Sequence, residues 1–208
     1  MLPFASHADL VRRTLDESGL VMNVTTDTAT GLDWLDMKLT VNQTYDQVRT
    51  GMYYQLGFRH ATRAEISTLF TNAGTPDDNF DTAVTYPTQT VALIDLLGDT
   101  TDSYSSTSRR SYGFAGTDYF GNDITLATHP IGVTFSALLG KVDYMDLRPF
   151  GSLLLGEAHF TQGQPFSNEA SPVWGSFLVR ATGTTSPCRL LAESPNLKCD
   201  GQGRGVYK

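Results

Sequence analysis

Cysteine is almost absent from this chain of 208 residues: there are two, Cys188 and Cys199, both near its end. Most of the chain must therefore fold without disulfides, and a lone pair without nearby His or Cys partners makes a poor zinc site. The spacing of the two permits an oxidised loop in an exported protein, with two unpaired thiols in a tail as the alternative. Charge is sparse as well. Asp, Glu, Lys and Arg make up 18% of the residues, and the formal net charge is -7. Binding a polyanion needs clustered Lys and Arg that displace counterions, so nucleic acid is not an expected partner. Only Arg12-Arg13 and Arg109-Arg110 come close to a basic cluster, and paired arginines read as solvated surface. Long apolar runs are missing too: nothing approaches the roughly 18 to 20 residues needed to cross a bilayer, so no stable membrane insertion is expected of this form.

What is present bounds the answer from the other side. With 40% hydrophobic residues the chain can bury one sizeable core, and its length favours one domain with a tail. Abundant Gly, Thr and Ser suit an exported, loop-rich protein. Residues 1–8 read as the end of a secretory signal, with Ser6 and Ala8 as the small residues before a cleavage point and an ordinary N-terminus as the alternative. The expected organisation is a signal remnant over 1–8, a single globular domain over 9–180 and a flexible tail over 181–208.

Two segments carry the clearest local signals. T-D-T-A-T-G-L-D-W, Thr26 to Trp34, reads as a tight turn entering a strand. Leu20 to Thr25 and Leu32 to Met37 would be the arms of a β-hairpin, with Asp27 bonding the turn backbone and Gly31 supplying a positive φ. G-F-R-H-A-T-R-A-E, Gly57 to Glu65, reads as a buried arginine, Arg59, leading into a capped helix. Arg59 would cover the hairpin with its guanidinium satisfied by carboxylate or carbonyl oxygens.

Capping boxes locate the helices. Thr44 with Gln47 predicts a short helix from Tyr45 that buries Tyr45, Val48 and Met52; Thr62 with Glu65 predicts another that buries Ile66, Leu69 and Phe70 and stops at Asn72 to Gly74. A third is expected from Gln89 to Leu97, ending at Gly98. From Asp99 to Asn122 the texture turns to loops, with a strand around Tyr112 to Phe114. Ile124 to Thr128, Val142 to Leu147, Glu157 to Thr161 and Val173 to Arg180 read as short strands. In the last, Trp174, Ser176, Leu178 and Arg180 share one face and Val173, Gly175, Phe177 and Val179 the other.

The T-D-x-A-T-G-L-x-W hairpin and the G-F-R-x-A-T-x-x-E helix entry resemble a group of exported bacterial proteins that often carry a PEP-CTERM sorting tail. They are also similar to the C-terminal domain of Legionella collagen-like protein, where a D-x-x-T-G-L-x-W hairpin precedes a helix start. The motif match is confined to Thr26 to Phe70, with W-G-S-F-L-V-R as a weaker terminal match and Tyr104-Ser-Ser-Thr107 similar to a Y-W-S-S-T segment without its tryptophan. The resemblance implies an α+β, C-type-lectin-like fold: two or three short helices packed on a loop-rich, mostly antiparallel sheet. The V-P-E-P sorting signal is not found after the last strand, where Thr184-Thr-Ser-Pro-Cys188 leads into a polar end, so membrane processing is not carried over.

Chemistry is harder to place. The histidines His7, His60, His129 and His159 lack metal-ligand spacing, and no G-x-S-x-G elbow marks a nucleophilic serine. The core cysteine pair of formylglycine-generating enzymes, and the E-P-N, Q-P-D and W-N-D sugar motifs of lectins of this fold, are all missing. Trp34 and Trp174 read as core residues. The better ligand candidates are the rings Tyr104, Tyr112, Phe114, Tyr119 and Phe120, interleaved with Gly, Ser and Asp, which could stack on a sugar; pinning a long loop to the core is the alternative. No cofactor is expected beyond calcium, for which Asp118, Asn122 and Asp123 are the candidate oxygen ligands, with Asp77-Asp78-Asn79-Asp81 a second acidic loop. The expectation is an exported, extracellular or cell-surface module that is not an enzyme and binds glycan or exopolysaccharide. A hydrolase or a degenerate oxidase relative on the same scaffold is the alternative.

Overall fold

The computed structural model describes residues 9–17, 19–75, 87–101, 108–116, 132–138, 155–161, 170–183, 197–199 and 205–207. The fold is α+β. Five strands form one wholly antiparallel sheet in the order β1 (Leu10–Glu17), β2 (Leu20–Asp27), β3 (Leu32–Leu35), β9 (Leu178–Ala181), β4 (Arg59–His60). A second sheet has the order β7 (Leu155–Thr161), β6 (Gly132–Leu138), β5 (Ser108–Phe114), β8 (Trp174–Ser176), with only β5 and β8 parallel. Near the end of the chain β10 (Leu197–Cys199) and β11 (Gly205–Tyr207) pair as an antiparallel ribbon.

The β2–β3 hairpin forms as its composition requires. Asp27 Oδ1 accepts from the amides of Ala29 (3.0 Å) and Thr30 (3.3 Å), and Gly31 turns the chain with φ +66°. Asn72 Nδ2 donates to the other Asp27 oxygen at 2.8 Å, tying the turn to a helix that begins over thirty residues later. The second arm stops at Leu35, because Asp36 accepts from the Lys38 amide and starts a 3-10 turn over Met37–Thr40. Met37 is therefore a turn residue rather than the end of a strand.

β1 lies outside the organisation expected above. V-R-R-T-L-D-E carries too little apolar alternation to announce a half-buried strand, yet it pairs antiparallel with β2 along its whole length. Its arginines are not simply solvated. Arg12 pairs with Asp36 at 3.1 Å and Arg13 with Asp33 at 2.7 Å, each cation half exposed and each carboxylate buried.

The first sheet is covered on both faces. One face carries Met22, Val24, Leu35 and Leu178 against α1 (Tyr45–Thr50) and α2 (Met52–Gln55), with Val48, Tyr53, Leu56 and Phe58 completing the cluster. The other carries Trp34 and Val179 against α3 (Arg63–Asn72) and α4 (Pro87–Leu97), through Ile66, Leu69, Phe70, Leu93, Ile94 and Leu97. Trp34 lies edge-on to Phe177, ring centroids 6.4 Å apart, inside the core as its setting predicts.

The capping boxes are present at both predicted positions. Thr44 accepts from Gln47 N and Thr62 from Glu65 N, with both reciprocal bonds made. Thr62→Ala should cost about 1 kcal/mol, read as a lower urea midpoint with an unchanged slope, because the Glu65 amide then loses its acceptor. The first helix nevertheless differs from expectation: Gly51 ends it, the phase is reset in α2, and Met52 is exposed while Tyr53 is buried. α3 buries the three expected residues, and Gly74 follows it with φ +75°. α4 starts at Pro87, where a missing N–H costs nothing, and stops before Gly98.

The expected strand from Val173 to Arg180 is split at Phe177. β8 joins the second sheet and β9 the first, so one segment links the two layers. Where they meet, Gly113 and Gly175 are register partners. A methyl group at Gly113 would lie 2.5 Å from Met37 Cε, and one at Gly175 would lie 2.4 Å from the Met37 carbonyl oxygen, so Met37 packs into the space that the two glycines leave. The expected strands over Ile124 to Thr128 and Val142 to Leu147 lie outside the described residues, as do residues 1–8.

Candidate functional site

The ring candidates are only partly within view. Tyr112 and Phe114 stand on β5, whereas Tyr104, Tyr119 and Phe120 lie outside the described residues, together with Asp118, Asn122, Asp123 and the Asp77 to Asp81 loop. β5 runs parallel to β8, with Tyr112 opposite Trp174. The two rings meet at 5.3 Å between centroids with a 32° tilt, and Phe114 stacks on Trp174 at 5.2 Å and 26°. Phe114 is buried, while Tyr112 and Trp174 are both partly exposed. Trp174 is thus not a purely internal residue. Its nearest ring partners come from a segment some sixty positions earlier, which nothing in the linear order of V-W-G-S announces.

Hydrogen bonds tie the backbone beneath these rings to its neighbours. The Tyr112 amide donates to Thr100 Oγ1 at 3.0 Å, and Ser111 Oγ donates to the Gly98 carbonyl at 2.6 Å, fastening β5 to the end of α4. The Phe177 amide donates to the Phe114 carbonyl at 3.0 Å.

A second polar constellation is buried. His60 lies between Tyr54 and Ser176, with Tyr54 Oη 2.6 Å from Nδ1 and Ser176 Oγ 3.1 Å from Nε2, and Tyr45 stacks on the ring at 4.0 Å. Burial, with the Arg49 charge adding to it, pushes the imidazole down to about 3, so it is neutral at pH 7. The His60 amide donates to Tyr54 Oη at 2.9 Å; in the tautomer in which the tyrosine gives its proton to Nδ1, the ring proton is on Nε2, facing Ser176. A general base would need a free lone pair on Nε2, the opposite tautomer. Ser176 is 1% exposed as well. This His–Ser contact therefore holds the two sheets together: β4 carries the histidine and β8 the serine, and the Ser176 amide donates to Thr40 Oγ1 at 2.8 Å.

Arg59 is not the buried arginine that its motif suggests. Its side chain is 51% exposed and forms a two-pronged pair with Glu65, at 2.8 and 2.5 Å, plus a 3.2 Å bond to the His60 carbonyl. Burial would raise the Glu65 pKa, but the Arg59 and Thr62 bonds together hold it below the ordinary range. Glu65 closes the helix cap and carboxylate and carbonyl oxygens satisfy Arg59, as expected, but the cation pairs with the helix start rather than covering the hairpin. Arg180, by contrast, is 5% exposed; its guanidinium meets Glu17 at 2.9 and 2.5 Å and the Leu56 carbonyl at 3.0 Å, and lies 4.6 Å from the Phe58 ring centroid.

Among the described residues no group of three or more His, Cys, Asp or Glu side chains is placed to hold a metal ion, and no helix is long and apolar enough to cross a membrane. The chain matches no family model, no curated protein and no solved structure.

Proposed function

We propose that the protein is an exported binding or structural module of the cell surface or extracellular matrix, with a C-type-lectin-like arrangement, that takes glycan or exopolysaccharide on Tyr112 and Trp174. The observation that carries this reading is the contact between two partly exposed rings on neighbouring strands, backed by buried Phe114. The apolar face of a sugar gains by stacking on such rings, while polar atoms nearby meet its hydroxyls. Helices on both faces of an antiparallel sheet, with the hairpin and the late strand β9 adjacent in it, support the C-type-lectin-like part of the reading. Tyr104, Tyr119 and Phe120 remain candidate rings and Asp118, Asn122 and Asp123 candidate oxygen ligands, with calcium as the ion to test.

A glycan array probed with and without calcium tests the proposal. Binding to at least one neutral glycan is expected, and Trp174→Ala should weaken it about tenfold, the equivalent of about 1.4 kcal/mol of stacking. Tyr112→Ala should weaken the same ligand while leaving the thermal midpoint close to that of the parent. No binding in either condition, or binding indifferent to both substitutions, would remove the aromatic surface from consideration.

A further inference from the structure

β1 is an edge of the five-stranded sheet, and Val11, Arg12, Arg13, Thr14 and Asp16 are all exposed. Which of its backbone groups point outward is determined by the neighbouring strands. The Asp36 amide donates to the Asn23 carbonyl, so the odd residues of β2 face β3 and its even residues face β1. The partners of those even residues are odd, from Val11 to Glu17, and the Thr28 amide donates to the Asp9 carbonyl in the same phase. The N–H and C=O groups of Leu10, Arg12, Thr14 and Asp16 therefore point away from the sheet.

We infer that β1 pairs antiparallel with β1 of a second copy of this chain, about a two-fold axis at Thr14. Backbone phase and charge together select this register. Matching outward groups to outward groups requires even residues to oppose even residues. Centring on Thr14 then sets Arg12 opposite Asp16 of the second copy, and Asp16 opposite its Arg12, so opposite charges face each other twice. A shift of one step in either direction replaces both of these with a charge opposite a neutral residue. Asp16 has no ion pair or hydrogen bond among the described residues, leaving its carboxylate available, and Arg12 is half exposed beyond its bonds to Asp36 and Asp95. Two bonds for each outward-facing pair give about six inter-strand hydrogen bonds and one continuous sheet across the dimer. A strand edge is a ready template for such pairing. The interface does not depend on what Tyr112 and Trp174 bind, although a dimer would present two such surfaces and gain avidity.

Sedimentation equilibrium across the micromolar range tests this directly. The parent should reach twice the monomer mass at high concentration, and Thr14→Pro should sediment as a monomer throughout, because proline removes an outward N–H that the monomer does not use. As a second measurement, Thr14→Cys with both native cysteines changed to serine should cross-link to itself under mild oxidation, since residues opposed at the axis have Cα atoms about 5.5 Å apart, within disulfide reach. Val11→Cys, which lies opposite Glu17 in this register, should not cross-link. A parent that stays monomeric, a dimer that survives Thr14→Pro in a folded protein, or equal cross-linking at both positions would overturn the inference.

Discussion

Glu17→Ala should destabilise the fold by about 3–5 kcal/mol, the range seen when one partner of a buried ion pair is removed. A native domain commonly has only about 5–15 kcal/mol to lose, so this one change would consume a large part of the margin. The reason lies in what the substitution leaves behind. Arg180 cannot reach water, its Nε has no partner among the described residues, and beyond Glu17 its guanidinium meets the Leu56 carbonyl and the face of Phe58. A guanidinium stranded there retains its desolvation cost and loses the carboxylate that offset it. Replacing both partners, Glu17→Leu with Arg180→Met, should recover most of the loss, because the double change removes both buried charges. Urea titrations of the parent, both single variants and the double variant separate the pair's coupling from the two individual effects. A loss below about 1 kcal/mol for Glu17→Ala would mean that the pair behaves as an exposed one.

Acid should weaken the protein well before its carboxylates titrate. The unfolded chain protonates His60 near its ordinary value of 6.5, whereas in the folded protein burial, aided by the Arg49 charge, holds it down to about 3. Between those values the unfolded state binds a proton that the native state refuses. The stability that His60 contributes is therefore complete above pH 6.5 and falls as the pH drops toward 3, by about 1.4 kcal/mol per pH unit, reaching about 3 kcal/mol by pH 4. Glu65, with its pKa lowered, adds a loss of the same sign only once the pH falls below the ordinary glutamate range; Asp36, raised mainly by burial, works in the opposite direction. Unfolding free energies at pH 7, 6 and 5, compared between the parent and a His60 variant that keeps Asp36 and Glu65, isolate the histidine. The parent should show the slope, and His60→Gln should be less stable at pH 7 but much flatter below it. Equal slopes in the two proteins would show that the buried imidazole accepts a proton without resistance.

Helix starts were legible because a capping box is a local device: the threonine and its partner three residues on satisfy one another whatever lies around them, and Thr44 and Thr62 do so. Asp27 and Gly31 were legible for the same reason, since turn geometry depends on neighbours in sequence. Arg59 is exposed where its motif suggests burial. The motif correctly places a cation before Glu65, but which side of the sheet edge faces water depends on β9, which arrives more than a hundred residues later. Met52 was misjudged because one glycine broke the helical phase, and a repeat read through Gly51 carries the wrong face forward. β1 gave little signal: its exposed middle is polar on both sides of the strand.

Of the candidate ligand rings, Tyr112 and Phe114 stand on the strand expected around them, but Phe114 is in the interior rather than on a ligand-facing surface. Their contact with Trp174 arises from a parallel pairing between distant segments. No periodicity within either segment encodes it.

The sequence by itself determined the α+β class, the hairpin turn, the helix starts and the apolar stripe of α3, because each rests on interactions spanning no more than a few residues. Tertiary structure decided that V-W-G-S-F-L-V-R divides between two sheets, that Arg180 rather than Arg59 is the buried cation, and that His60 meets Ser176. Each of those outcomes depends on which distant backbone occupies the neighbouring space. Burial, desolvation and ring contact are set by that neighbour, and the local pattern holds no record of it.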